Sequence, residues 1–440
     1  MSTKNKRNVI FVTQLPTPLK AAPFHRLSAF CRHMVRSGFN AYIVGGINLG
    51  EIISSKLGIS IEKKVERQTG NSPVACVEVN TSLYINLRIP YISSIVNTIL
   101  AFFQAIYLII KRPDVLIVSV PPSDLVPATF LASRITESIY IVDMRDPSEE
   151  ILTHHSSGSR IGSLIARILR KINYAIYRRV DAVVFATKGI KEMLAEHKIY
   201  GIVIPNGADL EIFKPVKGWS LKPAEALFIV FSGTIAEYYD LSQLALAVKI
   251  LNNHGFKTKL FLVGTIRKSI EEYIRKINAE NYVEYLGFYS PRDLASEVFS
   301  RCDIGVIPRV NDPIFDYAIP AKFYEYIASG LPVLAICRKE SELAKIILNY
   351  DVGWVCEYGN IGCILRVIKE MHLNRSLIEE KREKALMLRR YIDRNVHARM
   401  LIKLVNLLIY KKKHILNNGS NYDNQAHIRY NAEFPRRPLH

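Results

Sequence analysis

The residues best suited to chemistry in this 440-residue chain lie in Ile314–Ala335, IFDYAIPAKFYEYIASGLPVLA. Pro320 opens a helix, because its missing N–H would have no partner in a first turn. Ser329-Gly330 closes it, since glycine tolerates positive φ. Lys322 stands in the opening turn, so a cation and unpaired helical N–H groups lie together, an arrangement that suits a phosphate. Glu325 sits at i+3 from Lys322, where a carboxylate can accept hydrogen bonds from a ribose. A capped helix before a buried strand would give the same pattern with no ligand involved.

A second constellation is Arg145-Asp146, directly after the apolar run Ile139–Val142. An arginine–carboxylate pair at a strand's end can fix a phosphate or a sugar hydroxyl; it can equally be an ion pair bracing the loop. His25 and Arg26 begin the first helix and are placed to meet a phosphate or simply to start that helix. The loops Gln14–Pro23 and Val120–Asp124, the latter with Pro122 and Ser123, each follow a short apolar strand.

Ser159–Arg179, SRIGSLIARILRKINYAIYRR, carries six basic residues and no acidic one. At helical spacing Arg160, Arg167, Lys171 and Arg178 form one stripe beside a broad apolar face. An interfacial helix on an anionic bilayer has this composition, and so does a core helix with a solvated basic edge. Ile92–Ile110 runs 19 residues without a charge, close to the roughly 20 of a membrane span. Asn97 and Gln104 interrupt it, which fits a buried or membrane-lying helix better.

Fifty-nine Lys and Arg against 40 Asp and Glu give a formal charge of +19, implying an anionic partner. No aromatic platform or nucleic-acid module accompanies the charge, which disfavours nucleic acid. Six cysteines are scattered without C-x-x-C spacing, as expected for reduced thiols in a cytoplasmic protein rather than a zinc site. The first residues carry charges but no long apolar segment, so no secretory signal is read. No H-E-x-x-H, G-x-G-x-x-G or Ser-His-Asp arrangement supports a metallopeptidase, a nicotinamide enzyme or a serine hydrolase.

The elements that must position these residues alternate. Asn8–Thr13 reads as a buried strand, Phe24–Ser37 as a helix, and Tyr42–Val44 as the next strand; the alternation restarts at Leu227–Ser232. The fold class is α/β, with two doubly wound parallel-sheet domains, whose ligands bind beyond the carboxyl ends of the strands. The divisions read from the sequence are a first domain over 1–209 and a second over 210–390. A C-terminal helix over 391–410 packs back toward the first domain, and 411–440 form a flexible tail.

Taken in order, Val203–Pro215 (VIPNGADLEIFKP), Phe231–Thr234 (FSGT), Val283–Phe288 (VEYLGF) and P-x-K-x-x-E-Y over Pro320–Tyr326 resemble the C-terminal half of GT-B glycosyltransferases of family 4. Arg112-Pro113-Asp114, Val120-Pro121-Pro122 and Val142-Asp143-Met144-Arg145-Asp146-Pro147 resemble a bacterial subset used in surface-polysaccharide assembly (O-antigen, capsule or exopolysaccharide). The resemblance implies the GT-B fold and transfer of a sugar from a nucleotide-diphosphate sugar, with retention and without metal or cofactor. It implies donor contacts from Gly233, Thr234, Gly264, Gly287, Phe288, Pro320, Lys322 and Glu325, with Arg145, Asp146 and Lys322 at the reaction. The acceptor, a glycan or a polyprenyl-diphosphate-linked sugar, would meet Gln14, His25, Arg26, Pro122 and Ser123. A peripheral place on the inner face of the plasma membrane follows from the same likeness and the basic helix.

Two departures from the family pattern stand out. The first Glu of E-x7-E falls on Tyr317, with Asp316 one residue off register as a candidate replacement. The run Glu237-Tyr238-Tyr239-Asp240 carries no cation where relatives commonly supply one. The alternatives are a sugar-nucleotide epimerase of the same architecture and a non-catalytic basic lipid- or nucleic-acid-binding protein.

Overall fold

The computed structural model describes residues 6–14, 22–48, 77–85, 87, 89–215, 226–234 and 238–418. Most of the loop Gln14–Pro23, the connector 216–225, Glu237 and the segment 419–440 lie outside the described residues. The chain divides into two units. Met1–Pro205 is joined in unit 1 by the segment from Asn395, and Asn206–Arg394 makes unit 2.

Unit 1 contains strands β1 (Asn8–Val12), β2 (Asn40–Asn48), β3 (Val77–Tyr84), β4 (Val115–Val120), β5 (Ile139–Met144), β6 (Ala182–Phe185) and β7 (Ile202–Val203). Between them lie α1 (Ala22–Arg36), α2 (Pro90–Lys111), α3 (Val126–Ile135), α4 (Ser148–His155), α5 (Arg160–Tyr177) and α6 (Lys188–Ala195). The parallel sheet has the order β3-β2-β1-β4-β5-β6-β7. β4 and β5 are buried along their whole length, as continuous apolar runs must be when helices cover both faces.

Unit 2 contains β8 (Leu227–Ser232), β9 (Thr258–Val263), β10 (Val283–Gly287), β11 (Ile304–Pro308), β12 (Val333–Ile336) and β13 (Gly353–Cys356). Its helices are α7 (Ser242–Asn253), α8 (Lys268–Lys276), α9 (Ala321–Ala328), α10 (Glu342–Asn349), α11 (Ile361–Leu373) and α12 (Ser376–Leu388). The sheet order is β10-β9-β8-β11-β12-β13, all parallel. In both sheets the order reverses beside the first strand, so a crevice opens at the carboxyl ends of β1 and β4, and of β8 and β11.

The last helix, α13 (Arg394–Asn418), belongs to unit 1. Ala398, Leu401 and Val405 join the core around Phe11, Ile43 and Ile141. Residues 411–418 continue this helix, against the tail expected from 411 onward. Lysine is a good helix former, and Lys412 donates to the Glu137 carbonyl. The uniform reduced thiols expected from spacing are also corrected. Cys356 and Cys363 are disulfide-bonded, because β13 and the first turn of α11 bring their Cα atoms to 5.7 Å. Cys302 and Cys337 are buried and not disulfide-bonded.

Candidate functional site

In unit 2 three glycines stand at the carboxyl ends of three neighbouring strands. Gly233, Gly264 and Gly287 have φ of 108°, 112° and 77°, values that side chains rarely adopt. The Gly233 N–H donates to Val263 O at 2.8 Å and the Gly264 N–H to Gly287 O at 2.7 Å. A Cβ on Gly264 would stand 2.4 Å from Gly233 O, so the rim closes only without a side chain there. Thr234 is exposed beside it. Phe288, 76% exposed, follows the third glycine as an unburied ring available for stacking.

Helix α9 is aimed at this rim by Tyr326. Its hydroxyl accepts the Ser232 N–H at 2.9 Å and donates to Val230 O at 3.2 Å. Gly305 in β11 leaves space for the ring, since a Cβ there would meet it at 2.4 Å. The helix start therefore sits over the reversal between β8 and β11. Pro320 occupies the N-cap and offers no side-chain acceptor, leaving the first-turn amides without a side-chain cap.

Lys322 is 7% exposed, and its Nζ has no hydrogen-bond partner among the described residues. The ammonium stands 3.5 Å from the Phe231 ring centroid and 3.9 Å from that of Tyr239. It also lies 3.6 Å from the position of a Cβ on Gly233. Burial drives its pKa well below the usual lysine value; Glu325 opposes this and Arg309 adds to it. Desolvation likewise raises the Glu325 carboxyl, against the pull of Arg394 and Lys322. A buried cation without a hydrogen-bonding partner is costly, and an anion entering here would remove that cost.

Arg309 was missed by the sequence reading. It follows β11 directly, is 7% exposed, and donates from Nη1 to Phe315 O at 2.7 Å. Its Nε has no partner among the described residues. A charge placed straight after a buried strand was the available signal. Asp316, by contrast, is engaged: Arg338 Nε donates to its carboxylate at 2.8 Å, and the Glu342 N–H donates to its carbonyl at 2.8 Å. Desolvation still leaves its pKa raised, with Arg338 acting the other way. These bonds brace the loop against the start of α10, and Asp316 stays partly exposed.

In unit 1 the crevice between β1 and β4 holds Gln14, 4% exposed, with Nε2 unpartnered among the described residues. Pro121 and Pro122, both preceded by cis bonds, follow β4. His25 lies on α1, and Asp146 is partly exposed after β5. Three of the expected site residues have their polar groups engaged within unit 1. Arg26 is 2% exposed, donates to Asp143 at 2.7 Å and 3.0 Å, and donates to Pro205 O at 2.7 Å. Arg145 turns inward, donating to Ser119 Oγ at 2.9 Å and to Pro121 O. It shapes the loop after β4 rather than projecting beyond it, and burial lowers its pKa against the fields of Asp146 and Asp143. Ser123 is buried, with its hydroxyl accepting from Ser148 Oγ at 3.2 Å.

Arg160, Arg167, Lys171 and Arg178 are all exposed. Arg178 donates to His197 O and Arg167 to Ser163 O without losing that exposure. No group of three His, Cys, Asp or Glu side chains lies together among the described residues.

Residues 213–388, within unit 2, match the family model described as glycosyl transferases group 1. A probable glycosyltransferase, WbjE of Pseudomonas aeruginosa, is 22% identical over 225 residues, 48% of this chain and 54% of that protein. The match thus spans about half the length of this relative. Among solved structures, sucrose-phosphate synthase of Thermosynechococcus elongatus superposes with a TM-score of 0.68 at 14% identity, covering 92% of this chain and 100% of the other. Anabaena Alr3699/HepE in complex with UDP-glucose gives 0.63 at 12% identity, covering 91% and 99%. At these identities the likeness concerns the fold, and the fold is GT-B: two doubly wound parallel-sheet domains in one chain.

Proposed function

We propose that this chain is a glycosyltransferase that binds a nucleotide-diphosphate sugar on unit 2 and transfers the sugar, with retention, to a glycan or polyprenyl-diphosphate-linked acceptor bound by unit 1. The carrying observation is Lys322, a buried ammonium unpartnered among the described residues, beside the glycine rim at the β8–β11 reversal. The family match over 213–388 and the UDP-glucose held by the Anabaena relative support the same donor class.

The barrier to transfer is separating an anionic diphosphate from an electron-poor anomeric carbon. Lys322, the uncapped amides of α9 and Arg309 are fixed positive groups that stabilise the leaving oxygens as their charge grows. Gly233 and Gly264 let backbone approach the phosphates where any side chain would intrude. Phe288 offers a face for the base, and Glu325 an acceptor for ribose hydroxyls. The reading includes no bound metal or cofactor, and places the enzyme in bacterial surface-polysaccharide assembly on the resemblance of its N-terminal motifs.

The test is turnover of a panel of UDP-, GDP- and ADP-sugars with lipid-linked and free acceptors. Nucleotide diphosphate released only when acceptor is present supports the reading; Lys322→Ala turning over like the wild type removes it. An inverted anomeric centre in the product, or loss of turnover in EDTA restored by a divalent ion, would overturn retention or metal independence respectively.

A further inference from the structure

Unit 1 carries an apolar surface that nothing in the donor chemistry uses. On α2, Ile99, Phe103, Ile106 and Ile110 recur at helical spacing and are all exposed, Phe103 by 59% and Ile110 by 73%. On α5, Ile161, Leu164, Ile168 and Ile172 do the same, Ile161 by 68%. Single exposed apolar residues need no explanation, but two stripes on neighbouring helices do. The helices are neighbours because Gly162 of α5 lets the Tyr91 ring of α2 lie against it; a Cβ there would meet that ring at 2.6 Å. Helix α3 packs on both, adding exposed Leu131 and Ile135.

The charge on this face has one sign. α2, α3 and α5 contain no acidic residue. Exposed Arg160, Arg167 and Lys171 line one side of the α5 stripe, roughly a quarter-turn away at 100° per residue. Lys111 and Arg112 end α2, and Lys411–Lys413 lie in α13, where Lys412 reaches the turn closing α3.

We infer that α2, α3 and α5 together form a docking surface for an anionic lipid bilayer, with both long helices lying in the interface. A second copy of the chain would set cations against cations across a self-complementary contact, and a nucleic acid would leave the aliphatic stripes uncovered. An anionic bilayer satisfies both features, acyl chains taking the isoleucines and headgroups the cations. Helix α2 is long and apolar enough to cross a membrane, but its other face is anchored. Ser94 bonds to buried Asp124, and Asn97 accepts from the Ile85 N–H at 2.8 Å and donates to its carbonyl at 3.1 Å. Crossing would strip these groups of their partners, so the helix lies flat.

This inference does not rest on the donor reading, and turnover of a soluble acceptor is measured alongside to keep the two apart. The experiment is sedimentation of the full chain with phosphatidylcholine vesicles, with and without phosphatidylglycerol. Each cation near such a surface multiplies partitioning about fivefold. R160Q/R167Q/K171Q should therefore lower binding to anionic vesicles about a hundredfold, and F103S/I106S should lower it on both vesicle types. Thermal melting confirms that each variant is folded. Equal wild-type binding to neutral and anionic vesicles, full binding by either variant, or a lipid-free dimer that the variants dissociate would overturn the proposal.

Discussion

The ammonium of Lys322 lies 3.5 Å from the centroid of the Phe231 ring, the last apolar residue before the Ser232-Gly233 turn. This contact joins the start of α9 to the end of β8, and with Tyr239 at 3.9 Å and the field of Glu325 it stabilises the cation in the free protein. A cation over a ring is held by far less than a cation on a phosphate. On the proposed reading, a phosphate entering here would replace the weaker ring contacts with a stronger one.

Replacing Lys322 with Met should separate function from stability. Nucleotide release should fall about 10²–10³-fold, as for other preorganised charges at a developing anion. The melting temperature should hold or rise, because a desolvated charge is removed and the side chain's volume is kept. A fall in both together would mean the lysine is a structural residue.

Because burial depresses the Lys322 pKa in the free protein, donor binding takes up a proton where the pH lies between the free-state pKa and that of the complex. A diphosphate favours the ammonium, so the pKa in the complex exceeds that in the free protein. Affinity is then greatest below the free-state pKa and falls as pH rises through it toward the pKa of the complex. Folding carries the opposite sign. The folded pKa is below the unfolded one, so this residue's penalty is full at low pH and is relieved as pH climbs from the folded pKa toward the ordinary lysine value. Calorimetry of UDP binding across a pH series, in pairs of buffers of different ionisation heat, should find a window of proton uptake in the wild type that Lys322→Met lacks.

Arg309 should contribute to turnover although it anchors the Phe315 carbonyl. Arg309→Met is expected to lower kcat/KM about tenfold to a hundredfold. Arg309→Lys should recover part of this, since it restores charge without the fork that holds both loop and ligand. Loss of stability with kcat/KM intact would confine Arg309 to the loop.

The two glycines next to each other on the rim should respond differently to alanine. Gly264→Ala must displace the Gly233 carbonyl from 2.4 Å and also strain φ. It should cost roughly 1–3 kcal/mol and raise KM for the donor. Gly287→Ala meets open space and only the φ penalty, about 1–2 kcal/mol. Urea melts with donor titrations on both variants give the comparison.

Asp143 should prove structural. Asp143→Ala leaves the Arg26 guanidinium buried and short of its main partner, and should destabilise unit 1 by about 3–5 kcal/mol. Arg26→Met/Asp143→Leu should recover much of that loss. Recovery of stability together with acceptor turnover would place Arg26 outside the binding surface, as its burial indicates.

The strands were legible because buried parallel strands read as uninterrupted apolar runs. Leu227–Ser232 and Val115–Val120 fall where the residues say they should. The helix carrying Lys322 was legible for a comparable reason, with proline at its entrance and glycine at its exit. The fate of the arginines was not. Arg145 and Arg309 are each a cation just after a strand and Arg26 is one near a helix start, and nothing local says which carboxylate, carbonyl or open space each one meets.

Local composition therefore determined two α/β sheets, the capped helix with its lysine, and a basic amphipathic helix, because periodicity and end signals act within a turn or two of the chain. Tertiary structure alone decided that β8 neighbours β11, which makes Arg309 and Gly233 parts of one rim. It also decided that Arg26 is consumed by Asp143, 117 residues away, and that the isoleucines of α2 and α5 remain uncovered. Strand order and side-chain partners depend on contacts between distant segments, and the pattern along a single segment carries no record of them.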